Sequence, residues 1–438
     1  MLSITLDFGA SFLKGACFRN GKLEKVISKV SPAVSKEDWW ISHRIKILIR
    51  IIREMIAELS GGAAVFELAL SNEMHGFLLT DEKGNLVTDY ISWQKSLGEK
   101  KLDSLGKTAI DVLSQSDFLE AVQKTGMSLY AGLPSTNLLA LLQSGKIDET
   151  CTYRFYTLGD YILYNLSGQE PFCHPTNAAS TGLYDLSTGE WNKILIKAIG
   201  AEHIIFPHVG NARLQFLLQG ATVMAYSAIG DQQAALLGAG ITKQGQLSFN
   251  LGTGAQVSTL SKELVFSSDW QTRPYFQGCW LRSIPHLPSG RAMNVYFRFV
   301  KEVISTLQPD ITDEVVWQII LQKVEVTKTS AMCCDLSFFS NPLTSEKHGS
   351  IVQIGEYDFT IGKLFFAIFE QMASGFIQAS EILMKKEDVQ KIVFSGGIAR
   401  RLKKIRERIL SEYRGIPYIV AHDETLYGLM KFIRESRM

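Results

Sequence analysis

The chain has 438 residues, too many for one compact core, and two domains of roughly 200 residues each are expected. Hydrophobic residues make up 46% and charged residues 20%, the balance of a globular protein, and a formal net charge of +1 excludes a basic surface built for nucleic acid. The opening MLSITLDFGA has no basic stretch ahead of an apolar run, and no run of about 18 apolar residues occurs, so neither a signal peptide nor a membrane span is expected.

Ser3–Phe8 reads as a short strand ended by Gly9. Lys14–Phe18 and Leu23–Val30 follow as two more strands, joined at Asn20-Gly21 by a hairpin turn. From Ile41 to Leu59, residues Ile45, Leu48, Ile49, Ile52, Ile56 and Leu59 fall on one stripe, the pattern of a helix covering a sheet. A basic amphipathic helix lying on a membrane is the other reading of that stripe. Gly61-Gly62 stops the helix, and Ala63–Leu70 reads as a buried strand. Ser71 to Ser96 reads as irregular and contains Met74-His75-Gly76 and Trp93-Gln94. Helical patterns recur over Ser135–Gln143 and Gly159–Asn165. Late in the chain a long helical pattern, Ile361 to Met384, precedes a strand at Lys391–Phe394 that ends in Ser395-Gly396-Gly397. The six cysteines, Cys17, Cys151, Cys173, Cys279, Cys333 and Cys334, form no CxxC pair and read as reduced thiols of a cytoplasmic protein. The eight histidines show no HExxH arrangement.

The second half begins like the first. Ser3–Ser11 has a counterpart in Gln246–Gly254, about 240 residues on, where a strand again ends in a polar residue, an apolar one and glycine. A second β-type run follows each, at Leu13–Phe18 and Gln256–Leu260. A glycine-rich turn after a strand lets backbone N–H groups approach phosphate oxygens, and two facing hairpins could grip a triphosphate from both sides. Asp7, at the end of the first strand, either holds Mg²⁺ beside the phosphates or bonds its local turn. Lys14 either neutralises phosphate charge or is a solvated edge-strand lysine. Asp231, in Ile229-Gly230-Asp231-Gln232-Gln233, is either a helix N-cap or a carboxylate that orients an attacking hydroxyl and accepts its proton. At a helix N-terminus it is expected to stay ionised and to be a weak base.

Together these residues resemble the FGGY family of carbohydrate kinases. Asp7-Phe8-Gly9-Ala10-Ser11 with Lys14 is similar to the first phosphate motif, Met74-His75-Gly76 to the sugar-site motif, and Gly230-Asp231-Gln232-Gln233 to the catalytic-base motif. Gly252-Thr253-Gly254 is similar to the second phosphate motif and Ser395-Gly396-Gly397, continuing to Arg400, to the adenosine motif. Sedoheptulokinase is most similar within the family, with xylulokinase next, on Tyr90–Gln94, Asn177–Ser180, Gly182–Asp185, Glu190–Asn192 and Pro274-Tyr275-Phe276. The resemblance implies an α/β, duplicated, two-domain actin-like (ribonuclease H-like) ATPase fold with a cleft, divided as 1–240 and 241–438. It implies ATP and Mg²⁺ as cofactors and transfer of the γ-phosphoryl to a terminal hydroxyl of a ketose. Carried over by motif, Met74, His75, Gly76, Trp93, Gln94, Asn177 and Asp231 would bind the sugar, Asp231 would be the base and Asp7 would serve Mg²⁺. The nucleotide would meet Gly9, Ala10, Ser11, Lys14, Gly252, Thr253, Gly254, Gly396, Gly397 and Arg400. The expected partners are the sugar and ATP, without nucleic acid or membrane, and a homodimer is compatible.

Four departures from the family pattern stand out: Lys95 after Trp93-Gln94 where aspartate is usual, Glu73 where glutamine is common, Ile398–Leu402, and Tyr427-Gly428-Leu429 in place of a small-residue-rich helix. The first two bear on the sugar; Lys95 swaps an acceptor for a cation and changes hydroxyl recognition or favours an anionic sugar. The last two bear on nucleotide affinity. A kinase of another polyol or ketose, and a catalytically weak sugar-binding homologue, are the alternatives. An actin- or chaperone-like ATPase fits poorly, because it has no sugar motif ahead of the base.

Overall fold

The computed structural model describes residues 1–32, 43–102, 106–252, 254–339, 341–344, 348–422 and 424–437. It holds two mixed α/β domains, each built on a sheet with the same central pattern. In the first sheet the strand Leu2–Phe8 is antiparallel to Phe12–Arg19 and parallel to Val65–Asn72. In the second, Gln246–Asn250 is antiparallel to Ala255–Ser261 and parallel to Lys391–Ser395. The hairpin repeat read from the sequence is therefore a repeat of topology.

Alternation along the first strand explains its two faces. Leu2, Ile4, Leu6 and Phe8 pack in one core with Ile45, Leu48, Ile52, Met55, Ile56 and Leu59 of the helix His43–Ser60. That helix covers the sheet, so its apolar stripe is core and not a membrane face; Ile41 lies outside the described residues. Ser3, Thr5 and Asp7 point to the other face. That face is covered by the helices Asp231–Gly238 and Glu424–Arg437, which share a core with residues of both sheets, among them Ala69, Leu281 and Val393. Ser71–Ser96 is not wholly irregular. Leu78–Asp81 forms a four-residue strand antiparallel to Tyr153–Tyr156, with Leu78 and Leu79 buried.

The helix Glu424–Arg437 forms without a run of small residues, and Gly428 alone provides its close approach to the helix Asp231–Gly238. A Cβ on Gly428 would stand 1.8 Å from the Ala234 carbonyl oxygen, and one on Gly238 would stand 1.7 Å from that of Glu424. Lys431 Nζ caps the partner helix at the carbonyls of Leu237 and Gly238, at 2.9 and 3.2 Å. At the far end Arg437 pairs with Glu67, which is fully buried and also accepts from Ser3 Oγ and Tyr226 OH. Gly428→Ala is expected to cost about 1–3 kcal/mol of stability in urea unfolding, because two backbones must part to admit the methyl group. An unchanged midpoint would remove this crossing as a structural constraint.

Candidate active site

Strand register sets the centre of the site. Asp7 lies beside Ser71, and Ser71 beside Ile229, so three parallel strands end together. Carboxyl ends of parallel strands are where α/β sheets bind ligands. Ser71 Oγ donates to Asp7 Oδ1 at 2.8 Å, and Lys14 stands directly across from Asp7 on the antiparallel strand. One residue past Ile229–Gly230 the chain turns into the helix Asp231–Gly238, with Gly230 rather than Asp231 at the N-cap. Asp231 Oδ1 accepts from the Gln232 N–H at 2.7 Å.

The two carboxylates crowd one another. Burial, then the negative charges of Asp7 and Glu73, push Asp231 up from 3.8 to about 7, against the Gln232 N–H and Arg273. Burial also lifts Asp7 to about 6, against Ser71 and Lys14, with Glu424 adding to the rise. The expectation that a helix N-terminus keeps Asp231 strongly acidic is thus corrected, because desolvation and like charge outweigh it. The oxygens of Asp7 and Asp231, with Glu424 near, suit a hard cation such as Mg²⁺, which takes one or two carboxylates and completes its shell with water and phosphate. Among the described residues no cluster of three or more His, Cys, Asp or Glu forms an all-protein metal cage.

Beside this pair stands His75, held at φ 62°, an uncommon conformation for a residue with a Cβ. Its Nδ1 lies 2.8 Å from the Ser180 carbonyl oxygen, which only accepts, so Nδ1 carries the proton and Nε2 is left as an acceptor. Burial and the Arg273 charge hold this imidazole neutral. Tyr130 meets the His75 ring edge-on at 6.0 Å and the His286 ring at 6.2 Å. Arg273 is 4% exposed and donates to Gln232 Oε1 at 2.6 Å and to Gln271 Oε1. Gln232 in turn donates to Gln256 and Ser283 of the second sheet.

The other sugar-motif residues divide. Met74 lies under Gly230, with its sulfur 2.4 Å from where a glycine Cβ would be. Gly76 leaves room for Tyr90, whose hydroxyl would sit 2.2 Å from an added Cβ. Asn177 is fully buried and donates to Asn72 Oδ1 and the Ala228 carbonyl, at 3.0 and 2.9 Å. It therefore ties the Asn72 strand end to the segment leading to Asp231. Trp93 and Gln94 are exposed on the loop that also carries Lys95, whose ammonium is buried. Glu73 is matched by Arg44, buried 3.4 Å away over the Tyr90 ring, so a carboxylate in place of the family's glutamine comes with its own cation.

The glycine turns lie on both sides of this centre. Gly9 N–H bonds the Phe12 carbonyl at 3.1 Å, and the side chains of Ser11 and Lys14 are exposed, with Ala10 half-buried between. In the second domain the two turns are bonded together, Leu251 N–H to Ser395 O at 2.9 Å and Ile398 N–H to Leu251 O at 3.0 Å. Gly254 is exposed, and Thr253 lies outside the described residues. A cavity of about 1070 Å³ opens between Gly252, Gly290, Trp317, Gln318, Gly397 and Arg401. Gly396 precedes it at φ 88°. Arg400 is exposed and does not line this cavity; Arg401, about 100° further round the short helix Gly397–Arg401, does.

Sequence reading missed Arg273, Tyr130 and His286. Arg273 directly precedes the Pro274-Tyr275-Phe276 segment and was within reach of it, whereas Tyr130 sits in a loop and His286 in the strand Trp280–Leu287, neither within a motif. All six cysteines are free, and among the described residues no helix is long and apolar enough to cross a membrane.

The family model described as "FGGY family of carbohydrate kinases, N-terminal domain" matches residues 2–238, and the chain belongs to that family. It is 26% identical over 285 residues to the glycerol kinase of Rhizobium meliloti (strain 1021), covering 61% of this chain and 56% of that one. The chain spans about half the length of the curated relatives it matches. Among solved structures, the xylulose kinase from Rhodospirillum rubrum superposes with a TM-score of 0.82 at 16% identity, and the gluconate kinase from Lactobacillus acidophilus with 0.81 at 17%. Each likeness covers 100% of this chain and 90% of the other, and establishes the two-domain actin-like fold.

A carboxyl group with a raised folded-state pKa favours the protonated fold, so stability falls as pH climbs from about 4 towards 7 and the full cost is present above that. Asp231→Asn removes the cost. The variant is expected to be more stable than wild type by about 1 kcal/mol or more at pH 8, with the gain shrinking as pH drops through 7. Thermal unfolding across pH checks this; equal stability at every pH would contradict it.

Proposed function

We propose that the chain is an ATP-dependent carbohydrate kinase, with the sugar site, the base and the first phosphate turn in residues 1–240 and the second phosphate turn and the adenosine site in residues 241–438. The supporting observation is the pairing of Asp231, raised to about 7, with a neutral His75 whose Nε2 is a free acceptor. A carboxylate with that proton affinity is a competent base near neutral pH. The Asp231 oxygen not bonded to Gln232 takes the proton of a terminal sugar hydroxyl. The freed oxygen attacks the γ-phosphorus, the bond to the β–γ bridging oxygen breaks, and ADP leaves with that electron pair. His75 Nε2 accepts from a second hydroxyl and fixes the chain's orientation. Asp7 would hold Mg²⁺, which when bound neutralises phosphate charge. Backbone N–H groups of the turns at 9–11 and 252–254 would meet the phosphates, and the cavity between Gly252 and Trp317 would take the adenosine. Met74-His75-Gly76 and Trp93-Gln94 favour an acceptor of the xylulose or sedoheptulose type.

ADP release over a panel of ketoses, polyols and sugar acids tests the reading. One acceptor should stand out, its kcat/KM falling as pH drops below about 7. Asp231→Ala should cut that rate by at least ~10² while sugar binding persists; turnover near wild type would discard the base. Asp7→Asn should raise the Mg²⁺ concentration needed for half-maximal rate, and an unaltered dependence would remove the metal role.

A further inference from the structure

We infer that Arg273 recognises a carboxylate on the acceptor, so that the sugar is an open-chain acid, an aldonate or ketoaldonate, phosphorylated at the end remote from its acid group. The inference rests on the kinase reading and replaces its neutral ketose acceptor with a sugar acid.

The chain buries two guanidinium groups near this site. Arg44 has its carboxylate, Glu73. Arg273 has none among the described residues: its two hydrogen bonds go to neutral carboxamide oxygens, and its Nε, also buried, has no acceptor. Only part of the five-donor fork is used. A buried charge without an ionic partner is costly, and such costs persist where a ligand supplies the missing charge. Asp231 feels the Arg273 charge but forms no ion pair with it, and its free oxygen is committed to the acceptor hydroxyl.

The position of Arg273 indicates which ligand completes it. Its charge is felt by His75, Tyr130, His286 and Asp231, groups from four separate segments that surround the sugar side. Gln232 holds the guanidinium while being held by Gln256 and Ser283, so the cation is fixed before any ligand arrives. Asp231 and His75 both feel the Arg273 charge, so an acidic terminus on a chain sugar held at those two groups would be drawn to the guanidinium. A neutral polyol there would leave the guanidinium as poorly satisfied as it is without a ligand. The transferring phosphoryl group is the other anion in the cleft, and the test separates the two.

Titration calorimetry without nucleotide compares acids with the alditols of equal length: threonate with threitol, ribonate with ribitol, gluconate with glucitol. At least one acid should bind 10-fold or more tightly than its alditol. Arg273→Gln should bring that ratio near one, and Arg273→Lys should keep part of it. If the glutamine variant fails to fold, the wild-type ratios and the lysine variant decide. No acid preference, or a preference that survives Arg273→Gln, overturns the inference. So does a glutamine variant that loses ATP affinity and keeps its acid preference, because the charge then serves the phosphates. Acid preference without ADP release would sink the kinase reading alone; ADP release with neutral sugars alone would sink this one.

Discussion

The whole arrangement depends on three parallel strands that end level with one another. Because Asp7, Ser71 and Ile229 are neighbours in register, a carboxylate at the tip of the first strand and another just past the third must share one corner. That corner is partly covered by helices, so water screens the two charges less than it would at an open surface. Like charges in a poorly solvated site cannot both ionise easily. The same constraint that costs stability supplies a group able to accept a proton near neutral pH.

The helix that starts with Asp231 also joins the two domains. At its first turn Gln232 bonds to Gln256, Ser283 and Arg273, and Gln233 to the Pro274 carbonyl. At its end Gly238 crosses Gly428 so closely that neither tolerates a side chain. Any closing of the cleft must pass through these contacts, so domain position and placement of the base are mechanically linked. Closure that excludes water would also limit wasteful hydrolysis of the nucleotide.

Much of this was legible in the amino-acid sequence, because short buried strands punctuated by glycine carry their own signal. Asp7–Ser11, Gly252 and Ser395-Gly396-Gly397 could be read as turns after strands, and they are. The strand Leu78–Asp81 escaped because four residues hold too little alternation. Arg400 and Arg401 are neighbours in sequence but face different ways on a helix, and only Arg401 lines the cavity. The partners of Asn177, Asn72 and Ala228, lie far away in sequence and could not be read from it. The ionic partner of Glu73, Arg44, lies 29 residues away in sequence and carries no motif. Arg273, Tyr130 and His286 converge only through the tertiary fold. The proton affinity of Asp231 was misjudged for the same reason: helix position is local, whereas burial and the charge of Asp7 are not.

The most direct measurement is a ¹³C NMR titration of the Asp231 side-chain carboxyl in the full chain, in wild type and in Asp7→Asn. The account predicts a midpoint near 7 in wild type and a clearly lower one once the neighbouring charge is gone. A midpoint near the ordinary carboxylate value of about 4 in both proteins would contradict it.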